Sequence, residues 1–154
     1  MSSTVLAKPP LPAADSIAAL NTVLGVELRS FPQYMRWSRP WVPPGHERDI
    51  AALEKIVTEQ DALAERVFDA IDDLGGLPDS GEFPMEFTDT HDLSIDYMLR
   101  EAVGYGRQDV VDLEAAAATP NLAPQAAPLV NDAVNMAKRQ LATLESLVQP
   151  NPVV

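Results

Sequence analysis

Residues 16–34, SIAALNTVLGVELRSFPQY, decide the predicted fold of this chain. Apolar residues recur here every three or four positions, which is the spacing of one face of an α-helix. The same spacing places Glu27 in the middle of that apolar face. A carboxylate in a protein core is costly unless it is paired, protonated or bound to a metal ion. The segment therefore predicts a core-facing helix that carries a chemically unusual group.

Outward from this segment, clusters among the 14 prolines divide the chain into helical segments. We predict four helices, over residues 15–39, 47–74, 92–118 and 126–148. Gly75 and Gly76 can end the second helix, because glycine adopts left-handed backbone readily. Pro32 lies inside the first helix and predicts a kink, since it lacks an amide donor and clashes with the Leu28 carbonyl.

Four helices of this length pack most simply as a bundle. The connection over residues 75–91 is longer than the others, and it can run the full height of a bundle to join two parallel helices. The sequence therefore predicts an all-α four-helix bundle over residues 15–149, with a long crossover between the second and third helices. Residues 1–14 are predicted to be a flexible N-terminal arm, and residues 150–154 a C-terminal tail.

The composition excludes several classes of function. The formal net charge is −12, which argues against nucleic acid and anionic membranes as partners, because both attract basic surfaces. No apolar run approaches the roughly 20 residues of a membrane span, and the N-terminus does not have the pattern of a secretory signal. The chain has no cysteine, so His46 and His91 are the only residues that could supply a nitrogen ligand. We expect a cytoplasmic protein.

Several residues in the first two predicted helices resemble those of bacterioferritins. The resemblance rests on Leu20-Asn21, Leu24, Glu27-Leu28 and Gln33-Tyr34 in the first helix and on Gly76-Leu77-Pro78 after the second. The end of the last helix is similar in character. Over residues 16–148 the chain thus resembles the ferritin-like superfamily, which includes bacterioferritins and rubrerythrins, and the resemblance implies that fold.

The resemblance also implies that the metal site of the superfamily is degenerate in this chain. In this superfamily, one helix of each pair supplies a Glu and the other supplies Glu-x-x-His, and together they hold two irons. Glu27 stands at the first-helix position. The two Glu-x-x-His motifs fall at Gln60 and Leu63 and at Val134 and Ala137, and neither survives. The implied site is therefore a degenerate di-iron centre, with Glu27 and Gln60 as polar remnants in the core.

Three functions stay open at this point. The first is a non-catalytic bundle without a cofactor, a scaffold or interaction protein that forms a homodimer through the faces of its first two helices. The second is an iron-binding oxidase or storage protein with a reduced carboxylate set of Glu27, Glu59 and Glu101. Asp109 lies nearer than Glu101 to the centre of the third helix's apolar face. The third function is the binding of a small ligand in the bundle centre.

Other motifs add little to this choice. No nucleophile triad, glycine-rich phosphate loop or zinc-ligand spacing is present in the sequence. Together with the loss of both Glu-x-x-His motifs, this favours a protein that is not an enzyme. Trp37 and Trp41 either cover one end of the bundle or form an exposed anchor for a partner.

Overall fold

A computed structural model describes residues 11–38, 40–90 and 94–148 and shows an all-α protein. Its α-helices are α1 (Leu11–Arg29), α2 (Phe31–Ser38), α3 (Glu47–Asp73), α4 (Ile95–Ala117) and α5 (Ala127–Leu147). A 3-10 helix, Met85–Thr90, lies in the connection between α3 and α4. Since α1 and α2 together take the place of the first predicted helix, the all-α four-helix class is confirmed. Over the same residues, no helix combines the length and apolarity that a membrane span requires.

The predicted single helix over residues 15–39 is wrong. The first helix ends at Arg29 and a second helix starts at Phe31. Pro32 has no amide hydrogen to donate along the helix, so the hydrogen-bond ladder stops just before it. The Ser30 hydroxyl accepts a 3.4 Å hydrogen bond from the Gln33 amide, in the manner of an N-cap. The predicted kink is thus a complete break.

The remaining helix bounds lie close to the predicted ones. α1 begins four residues before the predicted start, with Pro12 in its first turn, where the missing amide is tolerated. α3 ends as expected, since Gly75 has a φ of 79° and the Gly76 amide donates a 2.9 Å hydrogen bond to the Ile71 carbonyl. The Ser94 hydroxyl caps α4. Residue 39 and residues 91–93, which the predictions place in helices or beside them, lie outside the described part.

The core consists of two apolar clusters joined end to end. The first apolar cluster contains, among others, Leu20, Leu24, Val67, Ile71, Leu113 and Val130. The second apolar cluster contains, among others, Phe31, Leu53, Phe87, Met98, Leu99 and Leu147. Along α1 and α2 taken together, and along each of α3, α4 and α5, the residues of one cluster are separated from those of the other by one short stretch of chain. These four stretches carry the polar groups described below.

The connection between α3 and α4 runs along α1 and α2. The Asn21 side chain bonds the backbone of Leu77 and Asp79, at 3.2 and 2.8 Å. Further along, Arg29 Nε donates to the Gly81 carbonyl at 2.9 Å. The segment then reaches α2, where aromatic rings pack, and the Ile95 amide bonds the Trp41 carbonyl at 3.2 Å. Successive residues of the connection therefore contact successive residues of α1, α2 and the loop after them.

Candidate functional site

Glu27 lies in the bundle interior with no partner for its charge. Its side chain is 1 % exposed, and neither carboxyl oxygen has a hydrogen-bond partner among the described residues. Burial raises the pKa of Glu27 well above its usual value, and the nearby Asp109 carboxylate raises it further. The sequence register correctly places Glu27 in the core. Gln60, the other predicted polar remnant, is also buried, and its oxygen accepts a 3.0 Å hydrogen bond from the Ser30 hydroxyl.

A small cavity of about 20 Å³ adjoins the Glu27 side chain. Each of the four long helices contributes one of its polar lining residues: Glu27 from α1, Gln60 from α3, Asp109 from α4 and Gln140 from α5. The rest of the lining is mainly apolar. A cavity of about 10–15 Å³ is enough for one water molecule, so this one has room for a single water or a single ion.

These four side chains form a polar layer between the two apolar clusters. Glu27 follows Leu24 of the first cluster and precedes Phe31 of the second. The other three polar residues interrupt their helices in the same way. The cavity is thus at the mid-height of the bundle, where an oxygen-rich layer replaces the apolar core. We call Glu27, Gln60, Asp109 and Gln140 the polar layer.

The amide of Gln140 has a defined orientation. Its Nε2 donates to Glu59 Oε1 at 3.2 Å and to the Ile56 carbonyl at 3.5 Å. An amide carries its donors and its acceptor on opposite arms. Since the nitrogen is used toward α3, the carbonyl oxygen of Gln140 is the arm left for other partners. A buried amide, 6 % exposed, therefore offers an acceptor in the polar layer.

Asp109 connects the interior to the surface. It lines the small cavity and also an open groove of about 910 Å³ between α1 and α4. Burial raises the pKa of Asp109 to about 7, with a smaller contribution from the Asp112 carboxylate. The groove is acidic, because its lining includes Asp15, Asp79, Glu82, Glu86 and Asp112 against Arg29. Cations that collect in this groove would meet Asp109 first.

The carboxylate set Glu27, Glu59 and Glu101 is not brought together. Of the three, only Glu27 lines the central cavity. Glu59 faces α5, where its second oxygen accepts a 3.0 Å hydrogen bond from Arg139. Glu101 accepts a hydrogen bond from the Tyr97 hydroxyl, which raises the pKa of that phenol. Asp109 occupies the position on α4 for which Glu101 was considered.

Neither His46 nor the motif positions Leu63, Val134 and Ala137 add a ligand to this centre. Within the described ranges, no three Asp, Glu, His or Cys side chains form a group that could hold a metal ion. His46 lies at the start of α3, with Nδ1 2.6 Å from Asp49 Oδ2, and His91 lies outside the described residues. Leu63 and Ala137 are buried among apolar side chains of the first cluster, and Val134 packs against it.

Sequence reasoning missed Gln140 as a polar-layer residue. For the fourth helix, helical spacing predicts a buried stripe of Val130, Val134, Ala137, Leu141, Leu144 and Val148. Val130, Ala137 and Leu144 are buried as predicted, but the buried face also includes Ala133, Gln140 and Leu147. Alanine and leucine on both stripes make the two registers nearly equivalent in apolar content. The available signal was the position of Gln140, three residues after Ala137 of the buried face. Gln60 is likewise a glutamine on the buried face of α3.

The two tryptophans lie on the surface at the α2 end of the bundle. Trp37 is 70 % exposed and Trp41 is 66 % exposed. Beside them, an apolar groove of about 570 Å³ is lined by residues that include Met35, Val42 and Leu53. Of the two predicted roles, covering the end of the core does not fit these exposures. Both tryptophans are largely exposed, and their role as an anchor for a partner stays a prediction.

The chain matches no family model, no curated protein and no solved structure. The ferritin-like resemblance over residues 16–148 therefore stays a prediction. Function has to be inferred from the polar layer, the acidic groove and the tryptophan surface.

Proposed function

We propose that this protein is a non-catalytic ferritin-like bundle that has lost its di-iron centre and acts as a scaffold or interaction protein. The observation that carries this proposal is the polar layer itself. It holds two carboxyl groups, Glu27 and Asp109, two amides and, over the described residues, no imidazole. A di-iron oxidase of this class needs four carboxylates and two histidines. A centre with this donor set lacks the ligands that are needed to bind two irons and to change their oxidation state.

The path of the connection after α3 supports the ferritin-like topology. Its contacts begin beside α1 at Asn21 and end beyond α2 at Trp41. A connection that travels the height of a bundle can join two helices that run in the same direction, as the long crossover of ferritin-like folds does. A bundle with short antiparallel turns would not need such a segment.

A homodimer is the interaction that the surface favours. The outward face of α3 carries exposed Arg48 and Lys55 in its first half and exposed Glu65 and Asp69 in its second half. In a two-fold symmetric dimer with antiparallel α3 helices, Arg48 and Lys55 of each copy would come near Asp69 and Glu65 of the other. The exposed Trp37 would supply the kind of aromatic anchor that dominates binding energy in many interfaces.

Two measurements test this proposal. Static light scattering should give twice the chain mass of 16.7 kDa, and Arg48→Glu with Lys55→Glu should shift the protein toward monomer. Adding Glu65→Lys and Asp69→Lys should restore the dimer, because the charge pattern is then reversed on both halves. Added Fe²⁺ should be oxidised no faster than in buffer. A monomeric wild type, or the near-ultraviolet absorption of oxo-bridged iron, would contradict the proposal.

The alternatives are less well supported. A carboxylate-only iron site is favoured by the unpartnered Glu27, but Glu59 and Glu101 are engaged elsewhere. Glu59→Gln and Glu101→Gln would abolish iron binding in that case. A small organic ligand in the bundle centre would need a pocket of roughly 300–1,000 Å³, which is far larger than the cavity beside Glu27.

A further inference from the structure

Four residues with side-chain oxygens, one from each of the four long helices, line one cavity of the size of an ion. Glu27 and Asp109 can each offer two carboxylate oxygens. The carbonyl arm of Gln140 is free of the hydrogen bonds that its nitrogen makes. The Gln60 oxygen accepts from Ser30 and keeps a second lone pair. Together they can supply up to about six oxygens, the lower end of the coordination that Ca²⁺ adopts in proteins.

No cationic side chain balances the two carboxyl groups. The described residues that line the cavity include no Lys, Arg or His. Arg29 lies in the outer groove, where it bonds the Gly81 carbonyl and the Ser80 hydroxyl. Glu27 in particular is 1 % exposed with both oxygens unpartnered. Two buried carboxyl groups without a counter-charge are strongly destabilising unless a proton or a cation accompanies them.

We propose that the polar layer is a site for one redox-inert divalent cation of the Ca²⁺ type, held by Glu27, Asp109, Gln60 and Gln140. Carboxylate and amide oxygens are the ligands that hard cations prefer, whereas Zn²⁺ and Fe²⁺ sites usually include nitrogen or sulfur donors. Mg²⁺ fits less well, because it keeps several bound waters and the cavity has room for one small occupant. The cation would enter from the acidic groove through Asp109, which lines both spaces.

This site goes beyond the proposed scaffold role. A single closed-shell cation would lock α1, α3, α4 and α5 together at mid-height without adding redox chemistry. Because dimer mass and Fe²⁺ oxidation are measured separately, the cation site can fail while the scaffold role stands, and the reverse is also true.

The test begins with chelator-treated full-length protein. Calorimetric titration with CaCl₂ in 0.3 M KCl should show one ion per chain, since this salt largely screens loose binding to exposed carboxylates. Mn²⁺ should give a bound signal in electron paramagnetic resonance that Ca²⁺ displaces. Glu27→Gln and Gln140→Leu should each weaken binding at least about tenfold. MgCl₂ should bind more weakly than CaCl₂.

Matched variants make the result decisive. Glu101→Gln removes a carboxylate of the same helix as Asp109 but outside the cavity, and it should leave Ca²⁺ affinity unchanged. Asp109→Asn keeps the side-chain shape at a half-buried position, so it tests the site even if a change at Glu27 impairs folding. Absence of one-to-one binding, or equal weakening in Glu101→Gln, would overturn the site and leave a protonated Glu27 beside water.

Discussion

Replacing Glu27 with leucine should stabilise the metal-free protein, although the change removes the carboxyl group that the predicted ferritin-like resemblance places at a metal-ligand position. The carboxyl group is 1 % exposed and has no hydrogen-bond partner within the described structure. An unsatisfied buried polar group costs about 1–3 kcal/mol. Holding its proton adds about 1.4 kcal/mol for each pH unit between the ordinary and the native pKa. Leucine removes both costs and adds apolar volume beside a cavity of about 20 Å³.

We therefore expect the free energy of unfolding at pH 7 to rise by about 2 kcal/mol or more, from the polar and ionisation costs combined. For a domain of this size, that corresponds to an increase of about 4–8 °C in the unfolding midpoint. Urea denaturation in the presence of a chelator, followed by circular dichroism, measures this change. Glu145→Leu on the exposed face of α5 is the matched control, and it should stay within about 0.5 kcal/mol of wild type.

The raised pKa of Glu27 also predicts how the stability difference between the leucine variant and wild type changes with pH. The pKa of Glu27 is raised in the folded state above its ordinary value of 4.5. The unfolded chain therefore releases this proton first as the pH rises, and wild-type stability falls above about pH 4.5. The leucine variant lacks that contribution, so its advantage should grow from pH 5 to pH 8. A variant less stable than wild type, or an advantage independent of pH, would refute this account of Glu27.

Four further substitutions probe other features. The raised pKa of Asp109 should make wild-type stability decline between pH 3.8 and pH 7. Asp109→Asn should remove this decline, which amounts to at most about 4 kcal/mol in urea titrations. Gly76→Ala should cost about 1–3 kcal/mol by thermal denaturation, because its Cβ would lie 2.8 Å from Ile17 side-chain carbons. Ile17→Ala should recover part of that loss. Ser30→Ala should cost about 1–2 kcal/mol, since it removes the cap of α2 and the hydrogen bond to Gln60, and no loss of stability would contradict both roles.

Helical periodicity was sufficient to predict which residues of the first two long helices face the core. Glu27 and Gln60 both fall on the apolar register, and both are buried. That register depends only on local spacing, so tertiary contacts were not needed to find it. Helical spacing alone also places Asp109 nearer the core than Glu101 on the third predicted helix.

Other features depend on contacts that no local pattern contains. Whether Pro32 bends or breaks the helix depends on Ser30, whose hydroxyl caps the new helix and also bonds Gln60 thirty residues away. Nor does the spacing show that both Glu27 carboxyl oxygens lack a hydrogen-bond partner among the described residues. Gln140 was missed because α5 offers two apolar stripes of similar composition, and packing against α4 and α3 selects between them.

The polar layer also has a consequence for how the bundle comes apart. It leaves two apolar cores in series, and their side chains are interrupted at mid-height on all four long helices. Leu141 packs against both cores and so bridges the interruption. Cooperative unfolding units are held together by continuous apolar packing. The two ends of the molecule should therefore exchange their amide hydrogens as separate units. Leu141 and the occupant of the central cavity should determine how strongly the opening of one end raises the exchange rate at the other.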